Sequence, residues 1–207
     1  MPKLRRSTSG LTLTELIVVV TILSTLTGLV YAVIRFESQT YTRQTAQNVT
    51  QNDLRIWLAR IAQNIRRSGY DPTGVNETTD DPPTFGLQTN LSASIAATEL
   101  KTTADIDGDG IVDAGASENL GFRLNTAESR LEIWQGGSSW RPVLDGVTSL
   151  SIEYLDADGA ATTVRRDVRT IRITISAEAE TGGYPGSPPP LVTQTATVEL
   201  RNRLRRS

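Results

Sequence analysis

The sequence predicts an α+β protein in which one long N-terminal helix packs on an antiparallel β-sheet head. Two observations lead to this fold class. Residues 16–34 contain no charged side chain, and about 20 apolar residues cross the ~30 Å hydrocarbon core of a bilayer as a helix. Beyond residue 120, apolar and polar residues alternate in short runs, which is typical of half-buried strands.

The helix is predicted to have a transmembrane half at residues 11–36 and an amphipathic half at residues 37–68. In the second half, an apolar stripe recurs at helical spacing. Arginines in the last turn, Gly69 at the position of a C-cap and Pro72 just beyond predict where the helix ends. The members of the stripe are Leu54, Leu58, Ile61 and Ile65.

Residues 69–207 are predicted to form a β-rich globular head. Short strands that follow one another along the chain favour an antiparallel sheet, and one apolar face of that sheet must be covered. We expect the stripe on the amphipathic helix to cover it. A last strand is expected at residues 193–200. The earlier strands are marked by alternating apolar residues: Phe122 and Leu124, Leu131 and Ile133, Leu150, Ile152 and Tyr154, and Ile171, Ile173 and Ile175.

The flanks of the apolar run predict its orientation in a membrane. Lys3, Arg5 and Arg6 precede the run, and basic residues mark the cytoplasmic end of a span. The run is longer than the ~7–15 residues of a cleaved secretory signal. We therefore expect a single-pass anchor with a cytoplasmic N-terminus and a head on the far side of the membrane.

A single carboxylate, that of Glu15, lies at the start of this apolar run. A charge within a membrane span costs roughly 2.5–3.5 kcal/mol on insertion scales. The basic leader, the following residues 10–15 (Gly-Leu-Thr-Leu-Thr-Glu) and the apolar helix together resemble the class III leader of type IV prepilins. The resemblance implies cleavage by prepilin peptidase between Gly10 and Leu11, and methylation of the new amino group of Leu11. It also implies that residues 1–10 are the leader peptide, and that Glu15 pairs with the terminal amine of a neighbouring subunit.

A second segment narrows this resemblance. Residues 66–74 read Arg-Arg-Ser-Gly-Tyr-Asp-Pro-Thr-Gly, similar to the R-x-x-G-Y-D-P-x-G helix exit of PilW-type minor pilins. The resemblance implies the pilin fold and a minor pilin that acts as a structural and assembly subunit of a type IV pilus, in initiation, at the tip or along the shaft. Implied partners are other pilins and minor pilins through the N-terminal helix, prepilin peptidase and the inner-membrane assembly platform.

Two other functions share these features and stay open. A J-type pseudopilin of a type II secretion system has the same leader and fold, and a membrane-anchored adhesin would use the head as a ligand site. In each case the implied location is the bacterial inner membrane, with the head in the periplasm. A pilus subunit would then be located in the pilus or at the cell surface after assembly.

Residues 105–113, Asp-Ile-Asp-Gly-Asp-Gly-Ile-Val-Asp, match the first nine positions of an EF-hand-type calcium loop. Asp105, Asp107 and Asp109 would converge on one cation, and Gly110 permits the sharp turn. With no helical pattern on either side, the loop is expected to connect two strands. The alternative is an acidic turn that holds no ion.

The remaining ligands of this candidate calcium loop, residues 105–118, are less regular. The Ile111 carbonyl would supply position 7 and Asp113 position 9. Ala116 replaces the bidentate acid of position 12, so Glu118 could serve only if the loop bulges. Because that ligand is displaced, we expect a calcium dissociation constant of about 10⁻⁴–10⁻³ M, the range of extracellular calcium-binding modules.

Composition argues against most enzymes and against a nucleic-acid ligand. The chain has no cysteine and no histidine, which removes thiolate chemistry and the commonest general base. Without the three basic residues of the leader, the formal charge falls from −2 to −5, and nucleic-acid-binding domains are typically basic. Trp134, Trp140 and Tyr154 are expected in the sheet core or in cross-strand pairs, in preference to a sugar-binding platform.

Overall fold

The computed structural model describes residues 12–74, 86–88, 98–113, 118–137, 139–164, 167–179 and 188–201. Within them lie one helix and seven strands. The helix is α1 (Leu13–Arg67). The strands are β1 (Glu99–Thr103), β2 (Asn119–Asn125), β3 (Arg130–Trp134), β4 (Arg141–Asp145), β5 (Val147–Leu155), β6 (Thr170–Glu178) and β7 (Leu191–Glu199). The single N-terminal helix and the antiparallel strands confirm the predicted α+β class.

The chain divides into two compact units, Met1–Gln44 and Thr45–Ser207. The described part of the first unit is helical and contains the apolar segment. An 18-residue window of this helix has a mean hydropathy of 2.4, so the helix is long and apolar enough to cross a membrane. Its large apolar side chains are exposed, as those of Ile22 and Leu29 illustrate at 55% and 60%.

The serine and threonine side chains within this apolar segment bond to their own helix. Each of the four serines and threonines between residues 16 and 34 donates to the carbonyl oxygen four residues earlier, at 2.7–2.9 Å: Thr21, Ser24, Thr25 and Thr27. A hydrogen bond to a carbonyl of the same helix satisfies the hydroxyl donor where no water is available, as in the core of a bilayer. The segment therefore carries no unsatisfied serine or threonine donor.

The second unit contains two antiparallel sheets. The first sheet has the strand order β1-β2-β3-β4 and the second β5-β6-β7. In the first, Leu100 lies opposite Phe122 and Phe122 opposite Ile133. In the second, Ile152 lies opposite Ile173. These apolar side chains are buried on one face of each sheet.

The head thus has two sheets where a single sheet was expected, and the division falls between β4 and β5. Gly146 separates these strands and has a φ of 74°, a conformation that favours glycine. A Cβ there would lie 3.1 Å from the Glu178 carbonyl oxygen. The Gly146 carbonyl accepts a 2.9 Å bond from the Glu178 amide, so the chain leaves the first sheet at this residue and enters the second.

The apolar stripe of α1 packs in the core of the head, as predicted. Leu54, Leu58, Ile61 and Ile65 are 0–5% exposed. They belong to one cluster with residues of both sheets, among them Leu131 and Ile173. Burial of each such side chain contributes roughly 1.5–3 kcal/mol. This packing anchors the last turns of α1 and so fixes where the chain leaves the helix.

Candidate functional site

The first turn of α1 is closed by Thr12 and Glu15. The Thr12 amide donates to Glu15 Oε2 at 2.9 Å, and the Glu15 amide donates to Thr12 Oγ1 at 3.3 Å. The Thr12 hydroxyl also donates to Glu15 Oε2, at 2.8 Å. This reciprocal arrangement is a capping box, which satisfies amides that have no partner within the helix.

The capping box places the Glu15 carboxylate at the end of the helix axis where amides are exposed. An anion is favoured there by the helix dipole. A carboxylate has about four acceptor positions, so the contacts with Thr12 leave room for a further donor. Gly10 and Leu11, the predicted processing residues, lie outside the described residues. The pairing of Glu15 with a neighbouring amine stays a prediction.

At its other end, α1 finishes in a turn around Gly69, as the sequence predicted. Gly69 has a φ of 73°, and the Tyr70 amide donates to the Arg67 carbonyl at 2.9 Å. Asp71 Oδ1 then accepts bonds from the amides of Thr73 and Gly74, at 3.1 and 2.8 Å. This aspartate turn gives residues 70–74 a defined course beyond the helix.

The candidate calcium loop connects β1 and β2, in agreement with the expected position between strands. Ligand atoms of Asp105, Asp107 and Asp109 all lie within 4.8 Å of one another. Two oxygens bound to one Ca²⁺ at 2.3–2.6 Å are at most about 5 Å apart. The three carboxylates are therefore close enough together to bind a single cation.

Asp105 is the buried member of this group and has no exposed surface. Its Oδ1 accepts from the Gly108 amide at 2.7 Å and its Oδ2 from the Gly110 amide at 3.0 Å. Both glycines have positive φ angles, of 79° and 84°. The glycines thus let the loop fold back over Asp105, while Asp107 and Asp109 lie at the surface.

Glu118, the residue before β2, organises the same loop. It is 4% exposed, and its Oε1 accepts from the amides of Ile106 and Asp107, at 2.6 and 3.2 Å. Its Oε2 accepts from the Asp113 amide at 2.9 Å. Burial alone would raise the pKa of Glu118, but these three amides outweigh it and lower the pKa.

Among the described residues, the convergent group comprises Asp105, Asp107 and Asp109, without Asp113 or Glu118. Glu118 instead fixes the backbone on the two arms of the loop, at residues 106–107 and at Asp113. A sequence pattern for calcium ligands does not reveal this role. Ile111 is 61% exposed, and Ala116 lies outside the described residues. The roles of Ile111, Asp113 and Glu118 as calcium ligands stay predictions.

The carboxylates of the loop repel one another. The hydrogen bond from the Asp109 amide favours the Asp107 carboxylate, but burial and the charges of Asp109, Glu118 and Asp105 outweigh it. The pKa of Asp107 is therefore raised. Like charges held this close disfavour ionisation, and a bound cation would relieve that repulsion.

The candidate calcium loop also contacts the exit of α1. The Asp105 amide donates to the Tyr70 carbonyl at 2.8 Å, and the Gly69 amide donates to the Thr103 carbonyl at 2.9 Å. A Cβ on Gly108 would lie 3.2 Å from Pro72 Cγ. The helix exit and the candidate calcium loop, which are separate motifs in the sequence, are thus joined by hydrogen bonds.

A buried carboxylate on the first sheet was missed by sequence reasoning. Glu132 accepts bonds from the side chains of Asn125, Arg123 and Arg130, at 2.8–3.0 Å. These contacts, with that of Asn125 foremost, hold the pKa of Glu132 at about 2 in spite of burial. The available signal was Arg130, two residues before Glu132 on the same strand, so that both side chains lie on one face. The site stabilises the sheet.

The tryptophans near this carboxylate lie on the outer side of the sheet. Trp134 and Trp140 are half-buried, with ring centroids 6.4 Å apart and planes tilted by 33°. Lys101 contacts both rings, and Arg123 lies over Trp140, 4.4 Å from its centroid. Tyr154 is in the core, 3% exposed, so the three aromatic residues do not form one platform.

Comparisons with known proteins place these features in a family. Residues 5–31 match the model of the prokaryotic N-terminal methylation motif, and residues 43–199 match the model of prepilin peptidase-dependent protein B. A type IV-like pilin from Thermus thermophilus has a similar structure, with 14% identity and a TM-score of 0.40 over 73% of this chain and 96% of that one. A search of curated proteins finds no match. The chain belongs to the prepilin peptidase-dependent protein B family and is a type IV pilin-like protein.

Proposed function

We propose that this chain is a minor pilin, a structural and assembly subunit of a type IV pilus. The observation that carries the proposal is the position of Glu15, five residues after Gly10, in a methylation motif that opens an apolar helix. The family of the head supports the same function. The helix exit at residues 66–74 supports the finer assignment to the PilW-type branch.

Assembly on this proposal begins with processing. Prepilin peptidase cleaves after Gly10 and methylates the amine of Leu11, which leaves Thr12 and Glu15 in the first turn of the mature helix. The Glu15 carboxylate accepts bonds from Thr12 in the described structure. In the filament, a positively charged amine from a neighbouring subunit would add a charge-assisted bond to the same carboxylate.

The proposed location follows from the apolar segment and its flanks. Before assembly, α1 anchors the chain in the bacterial inner membrane with its N-terminus in the cytoplasm and its head in the periplasm. The match to the methylation motif supports membrane anchoring, and the basic leader supports this orientation. Assembly then moves the chain to the pilus at the cell surface. The partners are other pilins, prepilin peptidase and the inner-membrane assembly platform.

The function on this proposal is structural and involves no catalysis. The chain lacks histidine and cysteine. The most deeply buried carboxylates of the described structure all accept hydrogen bonds or ion pairs from amides or charged side chains. They are those of Asp105, Glu118 and Glu132. Such groups position backbone and strands, so they are suited to holding a fold.

Calcium is the proposed cofactor, held by Asp105, Asp107 and Asp109. The Ile111 carbonyl, Asp113 and Glu118 are the further ligands we expect. Bound calcium supplies positive charge among these carboxylates. The contribution of the chain is to hold the loop: Glu118 fixes its two arms, and the Asp105 amide attaches it to the Tyr70 carbonyl.

The proposed function is tested by replacing Glu15 in a strain that carries no other copy of the chain. For Glu15→Ala, we expect normal membrane insertion and a loss of this subunit from sheared pili. Glu37→Ala is the matched control, because Glu37 lies on the same helix beyond the apolar run. Wild-type abundance of the Glu15→Ala subunit in sheared pili would refute the assembly role.

Deletion of the gene distinguishes the proposed minor pilin from the two alternative functions. Loss of pili with normal export of folded proteins supports a minor pilin. The opposite result would identify a pseudopilin of a type II secretion system, which shares the leader. Normal pili that no longer attach to surfaces would identify an adhesin.

A further inference from the structure

β7 forms one edge of the second sheet and pairs only with β6 among the described strands. The pairing is continuous from Glu199 opposite Thr170 to Leu191 opposite Glu178, without a bulge. The nine residues of β7 therefore present a long and regular edge. An edge of this kind is a template for pairing with another chain.

The bonds at the two ends of β7 show which of its backbone groups point away from β6, towards the open edge of the sheet. The Pro190 carbonyl and the Leu200 amide both bond on the β6 side. Backbone groups of successive residues in a strand point to alternate sides. The N–H and C=O groups of Thr193, Thr195 and Thr197 therefore point away from β6, and no described residue bonds to their backbone there.

Other edges in the described head carry features that discourage pairing, and β7 lacks them. β4 has five residues and contains Pro142, β1 contains Lys101, and β5 has an irregular register between Val147 and Ser149. Short length, proline, lysine and bulges each discourage pairing at an edge. In β7 the first eight residues have no charge, proline or glycine.

The sequence of β7 is nearly symmetric about Thr195. Read outward from that residue in the two directions, it gives Gln or Ala, then Thr on both sides, then Val on both sides. An antiparallel pair of two such strands, centred on Thr195, places threonine opposite threonine and valine opposite valine, and no like charges face each other. The facing pairs would be Thr195 with Thr195, Gln194 with Ala196, Thr193 with Thr197, Val192 with Val198 and Leu191 with Glu199.

Both faces of β7 suit this pairing. On the outer face, Thr195 and Thr193 already form cross-strand hydroxyl contacts, with Thr174 at 3.1 Å and Ser176 at 2.9 Å. On the inner face, Val192 packs against the core but stays partly exposed. A second strand would continue the threonine ladder on one face and bury more apolar surface on the other.

We propose that β7 is a homophilic contact site, at which a second copy of this chain pairs antiparallel with Thr195 at the centre. A twofold contact of this kind is self-complementary and closes as a pair. It therefore links two heads and does not by itself extend a filament. The contact is separate from the packing of α1 in assembly.

The chain contains no cysteine, so single-cysteine variants of the full-length protein in detergent test the register directly. Residues directly opposite in a hydrogen-bonded pair have Cα atoms about 5.5 Å apart, within the 4.4–6.8 Å range of disulfides. We expect Thr195→Cys to form a disulfide dimer on mild oxidation. Thr193→Cys alone should not form a dimer, because residue 193 faces residue 197 of the other copy. The two residues 193 would therefore lie about 14 Å apart along the strands. A mixture of Thr193→Cys and Thr197→Cys should form the dimer.

Ser149→Cys is the matched control, since Ser149 lies opposite Ser176 on the same outer face but on β5. Dimer yields for Thr195→Cys no greater than those of this control would overturn the proposal. Equal yields for Thr193→Cys alone and Thr195→Cys would also overturn it, because they indicate a different register or random collision.

A second measurement does not depend on oxidation. Thr195→Lys would place two like charges opposite each other, which costs up to about 1 kcal/mol and raises the dissociation constant of the pair about fivefold in sedimentation. Ser149→Lys should leave that constant unchanged. A Thr195→Lys protein that dimerises as the wild type does would overturn the proposal. Glu15→Ala should dimerise normally, so failure of the assembly role is distinguishable.

Discussion

The Asp105 amide donates a 2.8 Å hydrogen bond to the Tyr70 carbonyl oxygen. This bond joins the first residue of the candidate calcium loop to the first residues after α1. The loop also approaches Pro72 through Gly108. An ion in the loop would therefore stabilise the helix exit as well as the loop.

Calcium should stabilise the full-length protein in detergent. At tenfold the dissociation constant, a ligand that binds only the folded state contributes about 1.4 kcal/mol, or about 3–5 °C for a chain of this size. We expect such a rise in the melting midpoint near 10 mM Ca²⁺, and its loss in Asp107→Asn. Asp158→Asn, in an exposed turn elsewhere, is the control. An unchanged midpoint at 10 mM Ca²⁺ would remove calcium from the proposal.

Gly108→Ala should destabilise the head through two effects that can be separated. Gly108 and Gly159 both have a φ of 79°, but a Cβ on Gly159 meets no atom within 4 Å. The left-handed backbone costs roughly 1–2 kcal/mol in either variant. We expect a further loss in Gly108→Ala, because its Cβ would press on Pro72. Equal free energies of unfolding in the two variants would show that this contact is unimportant.

The stability of the head should depend on pH through Glu132. Its pKa is about 2 in the folded state, against 4.5 ordinarily, so its stabilising contribution is present above pH 4.5 and is lost as the pH falls towards 2. Glu132→Gln should lower the free energy of unfolding by about 1–3 kcal/mol at pH 7. The difference from the wild type should shrink below pH 4.5.

The control for this variant is Glu153→Gln, which removes a largely exposed ion pair with Arg172. Such pairs contribute about 0–1 kcal/mol. Chemical denaturation of both variants between pH 2 and pH 7 provides the comparison. A pH-independent cost of Glu132→Gln would mean that the carboxylate contributes only through packing.

Gly10→Ala should block removal of the leader. Mass spectrometry of the membrane-bound protein should then show a chain that keeps residues 1–10 and lacks a methylated Leu11. A serine-to-alanine change at Ser7, within the same leader, is expected to be processed normally. Detection of mature, methylated protein in Gly10→Ala would place the cleavage site elsewhere.

The features that sequence predicted well depend on neighbouring residues along the chain. The stripe from Leu54 to Ile65 is visible because helical periodicity is local, and Gly69 ends the helix as its position indicated. β1 and β4 were not predicted. β1 has one large apolar residue, Leu100, among polar ones, and β4 contains Pro142, which argues against a strand by composition alone.

The candidate site was predictable in composition but not in contacts. Spacing alone brought Asp105, Asp107 and Asp109 together, because a short loop holds them. The bonds from Glu118 to both arms of the loop, and from Asp105 to Tyr70, join segments whose separation along the chain carries no periodic signal. Such contacts follow from the packing of strands, which a single sequence does not encode in any local pattern.

The internally bonded hydroxyls of the apolar helix have a thermodynamic consequence. Since Thr21, Ser24, Thr25 and Thr27 donate to their own helix, moving this segment between lipid and a protein interior leaves those bonds intact. These four hydroxyls therefore contribute nothing to the transfer free energy through an exchange of polar partners. The balance between the two environments then depends on side-chain packing, on the Tyr31 hydroxyl and on the Glu15 carboxyl group at the helix start.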